Sequence, residues 1–566
     1  MKPHRAIAVL FCALSLSACA SVHDRVADTE PAARIVHDAD HSQESSIREI
    51  LAKQSPSADP VAAFYRAREF QPAWTGAPAL TDEQKWQDSA RAARDLLARA
   101  GEQGLRAEDY ALDDDCGARD SAQCDIALTG AVLRYAHDVR VGRETPDKIY
   151  SDIALSTSPF DAAAALNQAM ASGTVADWLA ALPPAHLEYG RLVQALALYR
   201  GIADQGGWPA LPGKDEINPA GGDRRSKLLA RRLAFEDPLL AAIAKPSPVQ
   251  IRDAVKRFQS RNGLGDDGRV RGRTLAALNV PASKRVAEIA ANMERWRWMP
   301  AQLEDRFIAV NVPDQQLAFI QDGTEVLHSK VVVGMKDSPT PILRTDIVAA
   351  VVNPPWNIPG DIAARALLPH LRRDPGYLAA RHMVVMNGPP GDPAGRSIAW
   401  RKIVPADFPY AIRQLPGPGT ALGALMLDSP NDFDVYLHDT PNKKLFDLDQ
   451  REISNGCVRV QQIFPLASLA MGDDAQTADQ LTAAAKTRDT QRLVLDRPLP
   501  VYFLYWTAFA DADGILQFRP DLYGRDTPLI AALEKSGRTD GEAARSGDET
   551  AALDESRAPV TASSSP

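Results

Sequence analysis

Residues 438–460 read HDTPNKKLFDLDQREISNGCVRV, a histidine and a cysteine in an otherwise cysteine-free C-terminal part of the chain. If residues 434–440 (DVYLHDT) form a strand, Val435 and Leu437 point to one face and Tyr436 and His438 to the other. In GCVRV the same alternation puts Val458 and Val460 on a core face and Cys457 and Arg459 opposite. Each segment thus has one apolar face and one chemical face, and the chemical faces together hold a thiol, an imidazole, a guanidinium and a phenol. Acyl transfer through cysteine needs this set. Only the thiolate attacks, so a base must take the proton. The attacked carbonyl becomes an oxyanion that needs donors aimed at it. Ser454, Asn455 and Gly456 supply a turn in which N–H groups can converge, and Gly456 has no Cβ to bar unusual backbone angles or an approaching substrate. Arg459 can hold a substrate carboxylate and does not lose its charge there.

Each residue also has a plainer reading. A single strand histidine is commonly structural, a lone buried cysteine behaves as a small hydrophobe, Tyr436 can be an aromatic wall, and Arg459 a surface ion-pair partner. Their conjunction favours chemistry. One Cys, one His and the scattered acids Asp434 and Asp439 make a poor zinc site, so neither metal nor cofactor is expected. His328, His370 and His382 lie in no comparable context.

The chain of 566 residues is too long for one core, so several units must position these groups. With 45% hydrophobic and 24% charged residues it is globular in composition, and a net charge of −9 gives a nucleic-acid partner no electrostatic support. Residues 19–57, polar and weakly patterned, are expected to be a flexible tether. Residues 58–245 carry apolar residues at helical spacing and read as a helical domain. Residues 246–282 form a compact helical unit with Val255 and Phe258 in its core, and strand-rich runs fill 283–530, interrupted by a Pro- and Gly-rich insertion at about 354–420. Residues 531–566 are low in complexity and expected to be disordered. The fold class is therefore multidomain: a helical domain, a small three-helix module, and a mainly-β domain with an insertion.

Residues 1–18 have the charged start and short apolar run of an export signal. It ends in Leu16-Ser17-Ala18-Cys19, which resembles a bacterial lipoprotein box with Cys19 as the lipidated residue; Ala20 after it implies sorting to the outer membrane. The expected location is the periplasm, anchored to a membrane by lipid. In that oxidising compartment Cys116 and Cys124 form a disulfide candidate, with two surface thiols as the alternative. Cys457 stays unpaired, either a liability or a nucleophile.

His438, then Ser454, Gly456, Cys457, Val458 and Arg459, resemble the signature of the L,D-transpeptidases. Many members carry histidine where this chain has Asn455, and Thr420 stands where relatives usually have Asn. The runs ANMERWRWMP, VVNPPWNIP and YWTAFADADGILQFRPDLYGRD resemble catalytic-domain blocks of the large periplasmic subclass, and FYRAREFQPAW resembles its helical scaffold. Residues 246–282 resemble a peptidoglycan-binding module through Phe258, Gln259, Gly263, Leu264, Asp267, Gly268, Thr274, Leu278 and Asn279. The resemblance implies a cysteine acyltransferase that takes a donor tetrapeptide and an acceptor stem of peptidoglycan and forms a 3→3 cross-link through a thioester on Cys457. It implies His438 as base, oriented by the main chain of Asp439. It also implies an oxyanion hole of N–H groups around Gly456 and Cys457, a lid at 354–420 that includes Trp356, and trapping of Cys457 by carbapenems. Tyr436 and Arg459 are the candidates for substrate positioning. An L,D-carboxypeptidase acting on the same stems and a non-catalytic wall-tethering lipoprotein remain the alternatives. The sequence is silent on oligomeric state and on acceptor preference.

Overall fold

The computed structural model describes residues 32–54, 59–74, 88–112, 121–155, 159–417, 419–472 and 475–535. The expected export signal (residues 1–18), Cys19 and Cys116 lie outside them, as does most of the expected C-terminal tail. Helices dominate up to about residue 300, and strands dominate afterwards.

The N-terminal helical domain closes around the helix Ser121–Arg140. Its buried Asp125 accepts bonds from the Ala73 and Trp74 amides at 2.8 and 2.9 Å and from the Tyr65 hydroxyl, so one carboxylate ties the FYRAREFQPAW stretch down. Residues 32–54, expected to be part of a flexible tether, instead form the helix Ala32–Gln54. Ile47 and Leu51 are buried in the domain core, and Ile50 packs against it. Three apolar residues at helical spacing suffice to dock an otherwise polar helix. Cys124 is disulfide-bonded.

The expected boundary at 245/246 is not a packing boundary. Leu211, Ile217, Leu229, Leu233 and Leu240 share one core with Val255, Phe258, Leu275 and Leu278, so the small unit begins near residue 211 and contains more than three helices. The buried Gln259 explains several residues of its motif: its amide donates to Asp267, to the Arg269 carbonyl and to Thr274, and its oxygen accepts the Gly268 N–H. These residues hold a loop.

The β domain is a closed sheet. Its strands are β2 (Arg306–Asn311), β3 (Gln316–Gln321), β4 (Thr324–Gly334), β5 (Ile342–Val352), β9 (Leu425–Asp428), β10 (Leu437–His438), β12 (Val458–Val460) and β13 (Gln491–Leu504). The order β5-β13-β2-β3-β4-β12-β10-β9 returns to β5 through a β5–β9 pairing, so the sheet has no free edge along this circuit. Ile308, Phe319, Val331, Leu427, Leu437, Val458 and Phe503 fill the inside. Two short strands add to it: β1 (Ile153–Ala154), contributed by the helical domain, pairs with β5, and β11 (Glu452–Ser454) pairs with β4. Between β5 and β9, β6 (Trp356–Ile358), β7 (Met383–Val385) and β8 (Ile412–Gln414) form a separate sheet in the order β6-β8-β7, with its own core around Leu368, Leu378 and Trp400. The last helix, Asp526–Glu534, runs past residue 530 and buries Leu529 and Ala532, so the first residues of the expected disordered tail are ordered.

Candidate active site

Strands β10 and β12 lie parallel, with Leu437 opposite Val458 and His438 opposite Arg459. The alternation read from the sequence holds: Val435, Leu437, Val458 and Val460 enter the barrel core. Tyr436, His438, Cys457 and Arg459 therefore share the other face, although β10 itself is only two residues long. The register places Cys457 beside Tyr436 and diagonal to His438.

The turn that carries Cys457 is held from both sides. Ser454 Oγ donates to the Cys457 carbonyl at 2.6 Å and accepts the Gly456 N–H at 3.2 Å. Gly456 adopts φ +112°, closed to side-chain-bearing residues. The Gly456 amide is thus committed, and among the described residues the Cys457 N–H has no acceptor. Asn455 is exposed, and its Oδ1 accepts a bond from Arg365 at 3.1 Å.

The Cys457 thiol donates to the Asp434 carbonyl at 3.5 Å. Burial pushes its pKa up, against the pull of Tyr436 and Arg459. A turn bound by Asn431 presents that carbonyl: its Oδ1 accepts the Phe433 and Val435 amides, and Asp434 itself has φ +52°. His438 is buried, and that burial, with the Arg459 guanidinium beside it, lowers its pKa to about 4. The carbonyls of Asp439 and Leu422 pull the other way, but Nδ1 meets no partner in hydrogen-bonding geometry. The Asp439 carboxylate pairs with Lys443 and accepts the Ala424 amide at 2.9 Å, and its charge also pulls the imidazole's pKa upward. Thr420 secures the preceding loop by donating to the Gly417 carbonyl at 2.7 Å.

Tyr436 packs edge-on to His438 with ring centroids 5.8 Å apart. Burial and the neighbouring thiol raise the pKa of its hydroxyl, and the Trp356 side chain of the insertion acts to lower it. Arg459 has no carboxylate partner among the described residues, and its Nε is buried without a hydrogen bond. An unpaired, partly buried guanidinium is costly, and a ligand carboxylate would relieve that cost. Sequence reasoning missed Thr340, whose hydroxyl donates to the Gly456 carbonyl at 2.6 Å, and Arg365. Pro339 and Pro341 around Thr340 were the available signal for the first, and nothing local marked the second.

A closed barrel that presents a free thiol, a neutral imidazole and an unpartnered guanidinium on one strand pair is equipped for carboxylate-anchored acyl chemistry. Residues 305–478 match the family model of the L,D-transpeptidase catalytic domain, and residues 59–196 match that of a scaffold domain. A Haemophilus influenzae protein provisionally named an L,D-transpeptidase is 34% identical over 258 residues, 45% of this chain and 51% of that protein. The chain thus spans about half the length of this curated relative. It carries an L,D-transpeptidase catalytic domain together with a scaffold domain. The barrel needs β13, which lies beyond the matched segment.

Proposed function

We propose that the protein is a cell-wall L,D-transpeptidase that forms 3→3 cross-links between peptidoglycan stem peptides through a thioester on Cys457. The observation that carries this reading is the unpartnered Arg459 guanidinium on the same face as Cys457 and His438. In this mechanism the donor tetrapeptide's terminal carboxylate pairs with Arg459. His438 removes the thiol proton as sulfur attacks the carbonyl of residue three. The Cys457 N–H meets the oxyanion. Collapse breaks the peptide bond, and His438 returns the proton to the departing D-alanine amine. The side-chain amine of an acceptor stem then attacks the thioester, its proton passes to His438, and the thiol is regenerated.

Trp356 and the insertion would cover the donor as a lid, a reading supported by the contact of Trp356 with Tyr436 and of Arg365 with Asn455. The anchor is proposed at Cys19, in the periplasm and at the outer membrane, and rests on the sequence alone. The unit around Gln259 is a candidate for wall binding.

The test incubates the protein with disaccharide tetrapeptide and follows muropeptides by mass spectrometry, beside a Cys457→Ala control. A dimer that has lost one D-alanine, absent from the control, is expected. Tripeptide without dimer would assign a carboxypeptidase instead, and no change with a folded protein would leave a wall tether.

A further inference from the structure

We infer that Thr340 is a positioning residue that aims the Cys457 N–H into the site, and that the scaffold domain holds Thr340 in place to do so. The inference rests on Cys457 being the acyl-accepting nucleophile.

The argument begins with one peptide plane. The Gly456 carbonyl and the Cys457 N–H belong to the same planar group and point in opposite directions. Fixing one fixes the other. Glycine at φ +112° gives this peptide unusual freedom to rotate, so its direction needs an outside restraint. Thr340, completely buried, supplies it: Oγ1 donates to the Gly456 carbonyl at 2.6 Å. The same oxygen accepts the Gly334 N–H at 2.9 Å, which leaves its single proton directed at Gly456. Accepting that bond also polarises the amide and makes the Cys457 N–H a better donor. Among the described residues that N–H has no other acceptor, as an oxyanion donor requires.

Thr340 is fixed in turn by residues outside the site. It lies between Pro339 and Pro341, and its amide donates to the Tyr523 hydroxyl at 3.3 Å. That hydroxyl donates to the Gly334 carbonyl at 2.6 Å. At Gly334 any Cβ would run into the Ser338 carbonyl, so the 335–341 loop can fold back only over glycine. The Arg525 guanidinium lies 5.2 Å from the Tyr523 ring centroid and pairs with Asp152 of the scaffold side. Tyr150 donates to the Arg525 carbonyl at 2.7 Å, and the Ile342 amide donates to the Asp152 carbonyl at 3.1 Å. Strand β1 then pairs Ile153 with Ile342 and Ala154 with Leu343. The scaffold strand therefore clamps β5 immediately after Pro341.

The test compares two reactions of Cys457 in the full chain, both read by intact mass. Acylation by a carbapenem develops an oxyanion; alkylation by iodoacetamide does not. Thr340→Val is expected to slow acylation about 10- to 100-fold and to leave alkylation within about twofold, and Thr340→Ser to restore acylation. Tyr523→Phe, which loosens Thr340 from outside the site, is expected to slow acylation about 3- to 10-fold with alkylation unchanged; it decides the matter if Thr340→Val does not fold. Wild-type acylation rates in a folded Thr340→Val, or equal losses in both reactions, would overturn the inference. A wild-type protein that alkylates but is never acylated would overturn the underlying reading of the site.

Discussion

The Cys457 thiol donates to the main-chain carbonyl of Asp434, not to the imidazole of His438, its diagonal neighbour across the parallel strands β10 and β12. The site at rest is a neutral pair. Burial raises the thiol's pKa, while burial and Arg459 lower the imidazole's to about 4. A preformed thiolate–imidazolium pair would show the opposite shifts. On the proposed mechanism the thiolate is therefore made during the reaction, when the Cys457 thiol turns from the Asp434 carbonyl to His438.

Alkylation by iodoacetamide reports this directly. Its rate should climb through pH 9 and beyond, with no plateau at about pH 6–7, because only thiolate reacts. A plateau there would reveal a resting ion pair. Stability should respond at the acid end. The imidazole takes its proton at about 4 in the folded chain and nearer 6.5 when free, so the unfolded state binds more protons between these values. Stability is therefore present above about pH 6.5 and declines as pH falls towards 4, by about 3 kcal/mol in total. His438→Gln should lack that slope in thermal melts taken across this range.

Arg459 faces His438 in register and finds no anion among the described residues. Arg459→Met should raise stability by about 1–2 kcal/mol in urea unfolding, since an uncompensated charge leaves a partly buried place. It should raise KM for the tetrapeptide donor about 10-fold or more, the cost of losing a charge-assisted carboxylate bond. Because Arg459 helps lower the imidazole's pKa, the acid limb of the acylation profile should also move to higher pH. An unchanged KM would remove Arg459 from the donor's path.

Gly423 lies where the loop before β9 crosses Asp439, at φ +65°, and a Cβ there would run into the Asp439 side chain. Gly423→Ala should therefore cost about 2–4 kcal/mol and displace Asp439, the residue that follows His438. Gly360→Ala, with open space around its Cβ, should cost less than about 1 kcal/mol. Equal losses in denaturant unfolding would show that the Asp439 contact does not matter.

The chemical face was legible because it is local: a period of two in DVYLHDT and GCVRV needs no tertiary information to sort Cys457, Arg459, Tyr436 and His438 from the valines and leucine behind them. What holds that face was not legible. Thr340 acts on Gly456, and Tyr523 on Gly334, across long stretches of chain, through single hydrogen bonds that leave no periodicity. The helix Ala32–Gln54 was missed because three docking residues are diluted among polar ones. The module boundary was missed because Leu229 and Leu233 look like any amphipathic helix until Phe258 is seen against them.

Arg365 connects the insertion to the turn that carries Cys457. Its guanidinium donates to Asn455 Oδ1 and to Ser338 Oγ, each at 3.1 Å. It sits in the π-helical turn Ala363–Leu367. Pro369 lacks the N–H that an α-helix would donate to the Arg365 carbonyl, which favours the wider turn there. The bonds are exposed, so each contributes little to stability, and their removal should not unfold the insertion, whose own core surrounds Leu368 and Trp400. Arg365→Ala should instead let the insertion move: faster amide exchange across residues 360–372, a donor KM raised about threefold to tenfold, and iodoacetamide alkylation at least as fast as in the wild type. If exchange and KM stay at wild-type values, Arg365 is a surface contact that does not restrain the insertion.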